Sequence, residues 1–324
     1  MIIHRKILIA FTLVIGMIFF NSCKKKGCTD PAACNYNADA SKDDGSCQGT
    51  TTWYQDSDGD GLGDPGSTTA SCTQPIGYVD NSDDFVDAPL TQQSMGLVTK
   101  MTATWCGPCG SWGWTLWEDI IAEVGEKSVL MSVYSPTSSE LNNTTAAQWG
   151  SDFDVQGYPN YCVNGKNRTA YSSSGGIYTS TTKTNAVNAS DSTYSTSPVA
   201  AAVYSKVISG TTITVNTATQ FFSAASGEYY LGVYVIEDGV IEDQSGDAGA
   251  GASHHVVLRG AMDGNAYGTL LVNGTAGTDV MENTFTMEME SDWVADNITI
   301  GLVIWNKVSG SYNFVNAYTK SGSH

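Results

Sequence analysis

Residues 97–109 are LVTKMTATWCGPC, and this stretch indicates how the central part of the 324-residue chain folds. Residues 97–102 are mainly apolar or β-branched and predict a buried strand. Further along, apolar side chains recur with the spacing of one helix face at Trp117, Ile120, Ile121 and Val124. Cys106 and Cys109 therefore stand between a strand and a helix. At such a junction, backbone N–H groups and the positive end of the helix stabilise a thiolate.

The spacing of Cys106 and Cys109 is that of a redox-active dithiol. A thiolate at Cys106 attacks a substrate disulfide, and Cys109, one helical turn later, attacks the mixed disulfide and releases the product. An inert structural disulfide is the alternative, and the lack of a second closely spaced Cys pair disfavours zinc. The sequence therefore predicts a thiol-disulfide exchange site.

The pattern after the two cysteines alternates between strand and helix, as expected of an α/β domain. The predicted elements are a strand at 128–133, a helix around 144–153, a strand at 161–163 and a returning strand near 168. Asn164-Gly165 is a hairpin signal between the last two. Residues 172–196 are rich in Ser and Thr and predict a weak helix followed by a linker at 190–197.

Strand patterns dominate from Pro198 onward. Seven candidates are separated by turns rich in Gly, Asn and Asp, at 199–208, 212–217, 229–237, 255–260, 280–288, 298–306 and 312–318. Seven short strands in about 125 residues predict an all-β sandwich domain. His254 and His255 are adjacent at the start of one of them, so their side chains point to opposite faces and suit packing better than joint metal binding.

The N-terminus predicts export. A basic start at His4, Arg5 and Lys6 precedes an apolar stretch at 7–20, and Cys23 stands at the expected cleavage point. Residues 1–22 are therefore a predicted signal peptide. Cys23 resembles the lipidated Cys of a bacterial lipobox, which implies a lipid anchor in a membrane; an uncleaved N-terminal anchor is the alternative.

The formal net charge is -18, and loss of residues 1–22 removes two basic residues and no acid, which gives -20. Such a surface repels nucleic acid and excludes that class of partner. Eight cysteines in an exported chain favour disulfides. The pairing of Cys34, Cys72 and Cys162 stays open, and Cys162 lies either near the active site or in the core strand.

Residues 53–88 contain alternate carboxylates followed by glycines, at Asp56, Asp58, Asp60 and Asp64. Carboxylates in this pattern wrap oxygen ligands around one hard cation, and they suit calcium. The segment resembles a thrombospondin type 3 repeat. It departs from the bacterial repeat at Phe85, where a Cys would pair with Cys72, so a Cys34–Cys72 pair becomes an option. An acidic loop without a ligand is the alternative.

Residues 23–52 have no apolar periodicity that builds a core, so disulfides must hold them. From 28 to 47 the segment resembles a short Cys-Thr-Asp-Pro … Asp-Asp-Gly-Ser-Cys module of Bacteroidota surface proteins. That resemblance implies a structural disulfide between Cys28 and Cys47. We interpret the segment as a spacer.

Residues 89–190 resemble thioredoxin, because Trp105 precedes the cysteines, Gly-Pro separates them, and Pro159 follows at a suitable distance. The resemblance implies a cis-proline at Pro159 opposite the dithiol, where it blocks metal capture and offers backbone groups to an extended substrate. One position departs from the family. A buried carboxylate usually stands six residues before the first Cys, and this chain has Lys100, whose pKa burial would lower.

Residues 94–320 are similar to the 28-kilodalton outer-membrane-protein-related lipoproteins of the Bacteroidota. The motifs that carry the similarity are TATWCG at 102–107, GYP at 157–159, SPV at 197–199, YVIEDG at 234–239 and HVVLRG at 255–260. The similarity implies a thioredoxin-like domain at 89–190, joined to an immunoglobulin-like β-sandwich at 197–322, in an outer-membrane lipoprotein.

Two functions follow from these patterns. The first is a membrane-anchored thiol-disulfide oxidoreductase that acts on the thiols and disulfides of exported proteins and needs no cofactor for its redox chemistry. The second is a cell-surface binding or adhesion lipoprotein, in which spacers stiffened by disulfide and calcium project a β-domain and the thioredoxin-like domain is structural.

Overall fold

A computed structural model describes residues 24–57, 63–82, 84, 86, 90–246 and 248–320. The predicted signal peptide, Cys23, Asp58 and Asp60 lie outside these residues. The chain divides into two units, residues 1–83 and residues 84–324. In the described part of the chain, no helix has the length and apolar character needed to span a membrane.

The first unit is built on disulfides and one small sheet. Its strands are β1 (Thr51–Gln55), β2 (Asp64–Ser71) and β3 (Tyr78–Val79), with β1 between the other two. One disulfide joins Cys28 to Cys47, and a second joins Cys34 to Cys72. Cys28 is the one apolar residue that is fully buried among the described residues of this unit, so the covalent links replace a hydrophobic core.

The second unit begins with a mixed region and continues as strands. The mixed region comprises β4 (Gly96–Thr102), α1 (Gly107–Gly110), α2 (Trp112–Val124), β5 (Ser128–Tyr134), α3 (Thr144–Asp152), β6 (Asn160–Val163), β7 (Lys166–Asn167) and α4 (Thr179–Tyr194). The strands that follow are β8 (Ala200–Ser209), β9 (Thr212–Phe221), β10 (Ala225–Glu237), β11 (Val240–Gln244), β12 (Gly249–His254), β13 (Val257–Ala261), β14 (Thr269–Ala276), β15 (Met281–Glu288), β16 (Ile298–Val308) and β17 (Ser311–Tyr318). The protein is therefore mostly β-sheet with few helices.

One nine-stranded sheet runs through both parts of the second unit, in the order β17-β16-β10-β13-β5-β4-β6-β7, with β14 also paired to β10. β4 and β5 are parallel, and β6 is antiparallel to β4. The two parts meet where β13 lies parallel to β5, with Val257 opposite Ser132. The main-chain N–H of Ser132 also donates to the carbonyl of Val256 at 2.7 Å.

A three-stranded sheet, in the order β15-β9-β8, packs against β10 and β16 and makes a sandwich-like pair of layers. The long strand β10 is buried on both faces. Leu231, Val233 and Val235 belong to the core shared with the small sheet. Tyr234 and Ile236 belong to the core of the mixed region, where Tyr234 contacts Trp149 of α3.

Two motifs of the sequence analysis, YVIEDG and HVVLRG, pair as neighbouring strands. Glu237 at the end of β10 lies opposite Val257 of β13, and it accepts a hydrogen bond from Nε of Arg259 at 2.6 Å. Glu237 also accepts the main-chain N–H of Val294 at 2.7 Å. Since both side chains are nearly buried, these hydrogen bonds satisfy charges that would otherwise be costly there.

Several described elements of the second unit differ from the sequence expectations. The linker expected at 190–197 is helical as far as Tyr194, because tertiary contacts hold it: the Ser190 hydroxyl is hydrogen-bonded to that of Ser128, and Asp191 pairs with Lys127. The strands β11, β12 and β14 were not predicted. Val256 breaks the strand expected at 255–260, since it has a positive φ and β13 begins one residue later.

Candidate functional site

Cys106 and Cys109 lie just beyond the end of β4 and are joined by a disulfide of 2.04 Å. Cys106 caps α1, and its Sγ lies 3.2 Å from the main-chain N–H of Cys109, which donates to it. The expected single helix is interrupted: α1 ends at Gly110, and α2 starts after the non-helical residue Ser111. The thiolate of Cys106 would therefore meet a local N–H donor.

The two sulfurs are unequally shielded. Cys109 is fully buried, whereas 4% of Cys106 is exposed and 50% of Trp105 is exposed. A cleft of about 460 Å³ beside them is lined by Thr104, Trp105, Glu140 and the β11–β12 hairpin. Attack from outside would thus reach Cys106 and not Cys109.

Tyr158 forms part of the wall around the disulfide, and Pro159, the next residue, packs on α2. The Tyr158–Pro159 peptide bond is cis. Tyr158 packs against Cys106 and Cys109, and its ring meets Trp105 edge to face at 6.0 Å. A Cβ built on Gly113, the second residue of α2, would lie 2.7 Å from Cγ of Pro159, so the proline ring lies directly on this helix.

Lys100 of β4 is buried beneath α2, with 3% of the residue exposed. Its Nζ lies 5.0 Å from the ring centroid of Trp114 and 5.9 Å from that of Trp117. Burial lowers the pKa of Lys100 to about 7, and the negative charge of Glu118 opposes this shift. Lys100 therefore lies in a largely aromatic environment that favours its neutral form.

His254 also contacts Trp114. The two rings are 5.2 Å apart, and the hydroxyl of Tyr134 is hydrogen-bonded to Nδ1 of His254. Burial lowers the pKa of His254 to about 4, so this imidazole is neutral at pH 7. His255 points away and bonds Asp238 at 3.0 Å, which raises the pKa of His255. The two histidines thus face different partners.

Sequence reasoning did not single out Gln244, the last residue of β11. It is buried, and its Nε2 lies within hydrogen-bond distance of the main-chain carbonyls of Ala103, Thr104 and Cys106. Residues 238–254 are rich in Gly, Asp and Ser and lack a strong apolar pattern, so the sequence predicted neither the hairpin nor this contact. Asp238-Gly239, before β11, and Ser245-Gly246, after it, are turn signals, but they do not show which segment the hairpin contacts.

Cys162 is in the core strand β6 and is fully buried. Its Sγ donates to Oδ1 of Asn160 at 3.2 Å, and burial raises the pKa of the thiol to about 12. Of the two locations considered for Cys162, the structure gives the core strand.

Two of the four predicted calcium ligands, Asp56 and Asp64, are described by the structure and lie next to the β1–β2 pairing. Gln55 pairs with Asp64, so Asp56 and Asp64 stand at the two ends of the connecting loop. The structure does not describe Asp58 and Asp60. Among the residues it does describe, no group of three or more His, Cys, Asp or Glu is placed to hold a metal ion.

No protein-family model and no curated protein matches the chain. Among solved structures, HBP35 of Porphyromonas gingivalis has a TM-score of 0.57 at 15% identity, over 71% of this chain and 76% of that chain. This similarity shows a shared fold.

Two other solved structures match smaller parts of the chain. A domain of the outer membrane lipoprotein Omp28 from Porphyromonas gingivalis has a TM-score of 0.26 at 18% identity, over 37% of this chain and 88% of that chain. A DUF3823 family protein from Bacteroides ovatus has a TM-score of 0.22 at 16% identity, over 38% of this chain and 55% of that chain.

Proposed function

We propose that the protein is a membrane-anchored thiol-disulfide oxidoreductase that acts on exported proteins through Cys106 and Cys109. The observation that supports this most is the disulfide between these residues at the end of β4, against which Tyr158 packs. In this proposal residues 89–190 are the thioredoxin-like domain, and residues 197–322 are the immunoglobulin-like one.

The reaction is an exchange of two electrons. In the reduced protein, the thiolate of Cys106 attacks one sulfur of a substrate disulfide, which forms a mixed disulfide and releases one substrate thiolate. The thiolate of Cys109 then attacks Sγ of Cys106. The Cys106–Cys109 disulfide forms, the second substrate thiolate leaves, and the substrate has gained the two electrons that the protein lost.

The surroundings of the disulfide give each neighbour a role in this reaction. Trp105 is half exposed beside the cleft of about 460 Å³, where an extended substrate segment has room to lie. As the sequence predicts, Pro159 would offer backbone groups to an extended substrate. Cys106 is the attacking thiol, because Cys109 has no exposed surface.

Reduction of insulin by dithiothreitol, followed as turbidity, tests this function on the purified full chain. We expect the wild type and Cys162→Ala to accelerate the reaction, because the Cys162 thiol is buried away from solvent. Cys106→Ser should give the uncatalysed rate, since it removes the attacking thiol. Equal rates for the wild type and Cys106→Ser would rule the function out.

The second candidate is a cell-surface binding or adhesion protein in which the Cys106–Cys109 disulfide is structural. The observation that favours it is the small exposure of Cys106, which limits access by a protein substrate. In that case the disulfide would stabilise the turn between β4 and α2.

The proposals for the cellular location and for the N-terminal spacer rest on sequence patterns. The signal peptide at 1–22 and a lipidated Cys23 would place the protein at the outer membrane. Calcium would bind the loop that contains Asp56, Asp58, Asp60 and Asp64. The pairing of Gln55 with Asp64 supports this, because it brings both ends of the loop together.

A further inference from the structure

The β11–β12 hairpin lies directly against the Cys106–Cys109 turn. The main-chain N–H of Ser245 donates to the carbonyl of Thr104 at 2.8 Å, and that of Ala248 donates to the carbonyl of Gly110 at 3.0 Å. These backbone contacts join residues about 140 positions apart. The β-rich part of the chain therefore supplies one wall of the disulfide's environment.

The contact leaves no space for a larger residue on either side. A Cβ on Gly110 would lie 2.1 Å from the carbonyl oxygen of Ser245 and 2.7 Å from Cγ of Gln244. A Cβ on Gly246 would lie 2.4 Å from the carbonyl oxygen of Gly107. This close fit holds the side chain of Gln244 in one place.

Gln244 is the centre of the contact. It is 3% exposed, and its Nε2 lies 3.2 Å from the carbonyl oxygen of Ala103, 3.0 Å from that of Thr104 and 3.0 Å from that of Cys106. A carboxamide has two N–H groups, so these acceptors share them together with the nearby carbonyl of Ser245 at 3.1 Å. The partial positive charge of the amide thus faces the partial negative charges around Cys106.

We propose that Gln244 is a positioning residue that sets the redox equilibrium of the Cys106–Cys109 pair by holding the carbonyls of the turn. The inference rests on the proposed function and goes beyond it, because it assigns control of the dithiol to the β-rich part of the chain. Without the amide, the carbonyl dipoles near Cys106 lose their partner. Their negative ends then disfavour a thiolate, and the disulfide form gains over the dithiol form.

Equilibration of the full chain with glutathione buffers tests the proposal. In this reaction two glutathione thiols give two electrons and two protons to the Cys106–Cys109 disulfide, so the dithiol and glutathione disulfide form. Alkylation and mass spectrometry of the peptide that carries both cysteines give the ratio of dithiol to disulfide. The rate of alkylation against pH gives the pKa of the Cys106 thiol.

We expect Gln244→Met, which keeps the length of the side chain and removes the donors, to lower the ratio of dithiol to disulfide about threefold to tenfold. A tenfold change corresponds to about 30 mV. The pKa of the Cys106 thiol should rise in the same variant. The matched control is Ile241→Thr, a substitution at an exposed position of the same strand, which should leave both quantities unchanged.

A folded Gln244→Met protein with the wild-type ratio and the wild-type thiol pKa would overturn the proposal. Should that variant not fold, Gln244→Leu also removes the donors without adding a charge, and the wild-type ratio together with the wild-type thiol pKa in a folded Gln244→Leu protein would overturn the proposal in the same way. The proposed function and the proposed role of Gln244 can fail separately. Wild-type protein that equilibrates with glutathione but does not reduce insulin contradicts the proposed function only, whereas a wild-type disulfide that never equilibrates contradicts both.

Discussion

Lys100 is an unusual residue for the position it holds. A Lys nine-tenths or more buried, beneath α2 and against Trp114 and Trp117, has its pKa lowered to about 7 by burial. In the unfolded chain the pKa of a Lys side chain is about 10.4. Between these two pH values the unfolded chain binds more protons than the folded one, so the free energy of unfolding rises with pH. Below about pH 7 the folded protein carries a buried charge that destabilises it.

We therefore expect Lys100→Met to be more stable than the wild type at pH 6. The difference in the free energy of unfolding should shrink by about 1 kcal/mol per pH unit between pH 7 and pH 10. Urea unfolding at several pH values measures it. The other titratable groups that face Lys100, namely Glu118, His254 and His255, are present in both proteins, so their contributions largely cancel.

Lys166→Met serves as the control, because Lys166 is exposed. Its difference from the wild type should not vary with pH. The difference in the free energy of unfolding between Lys100→Met and the wild type could also prove independent of pH from pH 6 to pH 10. Lys100 would then not titrate in this window, and its environment would be more polar than its burial indicates.

At the residue scale, chemistry that is local in sequence could be predicted, and chemistry that comes from distant segments could not. The Cys-Gly-Pro-Cys spacing is visible in four consecutive letters, and the carboxylate missing at Lys100 is visible six positions earlier. Gln244 carries no such signal. Its amide matters because a hairpin about 140 residues away folds back onto the turn, and no spacing rule reports that contact.

At the element scale, the hairpin packs on α1 and leaves space for a Cβ at one glycine of this helix but not at the other. Gly110 has the carbonyl of Ser245 where a Cβ would go, whereas a Cβ on Gly107 would meet no atom within 4 Å. Both residues are in α1, and Ala is the better helix former by roughly 0.5–1 kcal/mol.

We expect Gly110→Ala to destabilise the second unit by about 1–3 kcal/mol, because the hairpin must move away. Gly107→Ala should leave stability unchanged or raise it slightly. Urea unfolding of both variants measures this. Equal stability of the two variants would mean that the hairpin yields at no cost, and that its contact with the turn is loose.

Strands with a strong apolar pattern could be predicted from the sequence, and strands without such a pattern could not. β4 and β5 lie close to their expected bounds because each is a continuous buried run, and β16 does so because its residues 300–305 are buried. β11, β12 and β14 contain Gly, Asp, Asn and Ser, and they are strands because of the partners they pair with. The helix α4 has few apolar residues, and tertiary contacts made it extend into the expected linker.

At the scale of the whole molecule, the two units depend on different forces. Residues 24–82 have two disulfides and little buried apolar surface, whereas the second unit has extensive apolar cores. The stability of the first unit should therefore depend on its two disulfides and on any bound ligand. The stability of the second unit should depend mainly on its apolar cores.

For calcium, we expect chelation to increase protease cleavage within residues 53–82 and to leave the second unit intact. Limited proteolysis with calcium or with a chelator, read by mass spectrometry, checks this. The double variant Asp56→Asn, Asp64→Asn should behave as the chelated wild type under both conditions. Identical wild-type cleavage with and without chelator would contradict the calcium proposal.

The parallel pairing of β13 with β5 also constrains how the chain is made. A polypeptide emerging during synthesis has completed β5 by residue 134, but its partner strand begins only at residue 257. Until then one hydrogen-bonding edge of a central, apolar strand has no neighbour, and such edges recruit other chains. Long-range pairing of this kind is slow to form. Translocation across a membrane in an extended state, with folding postponed until the whole polypeptide has arrived, would protect this edge from premature association.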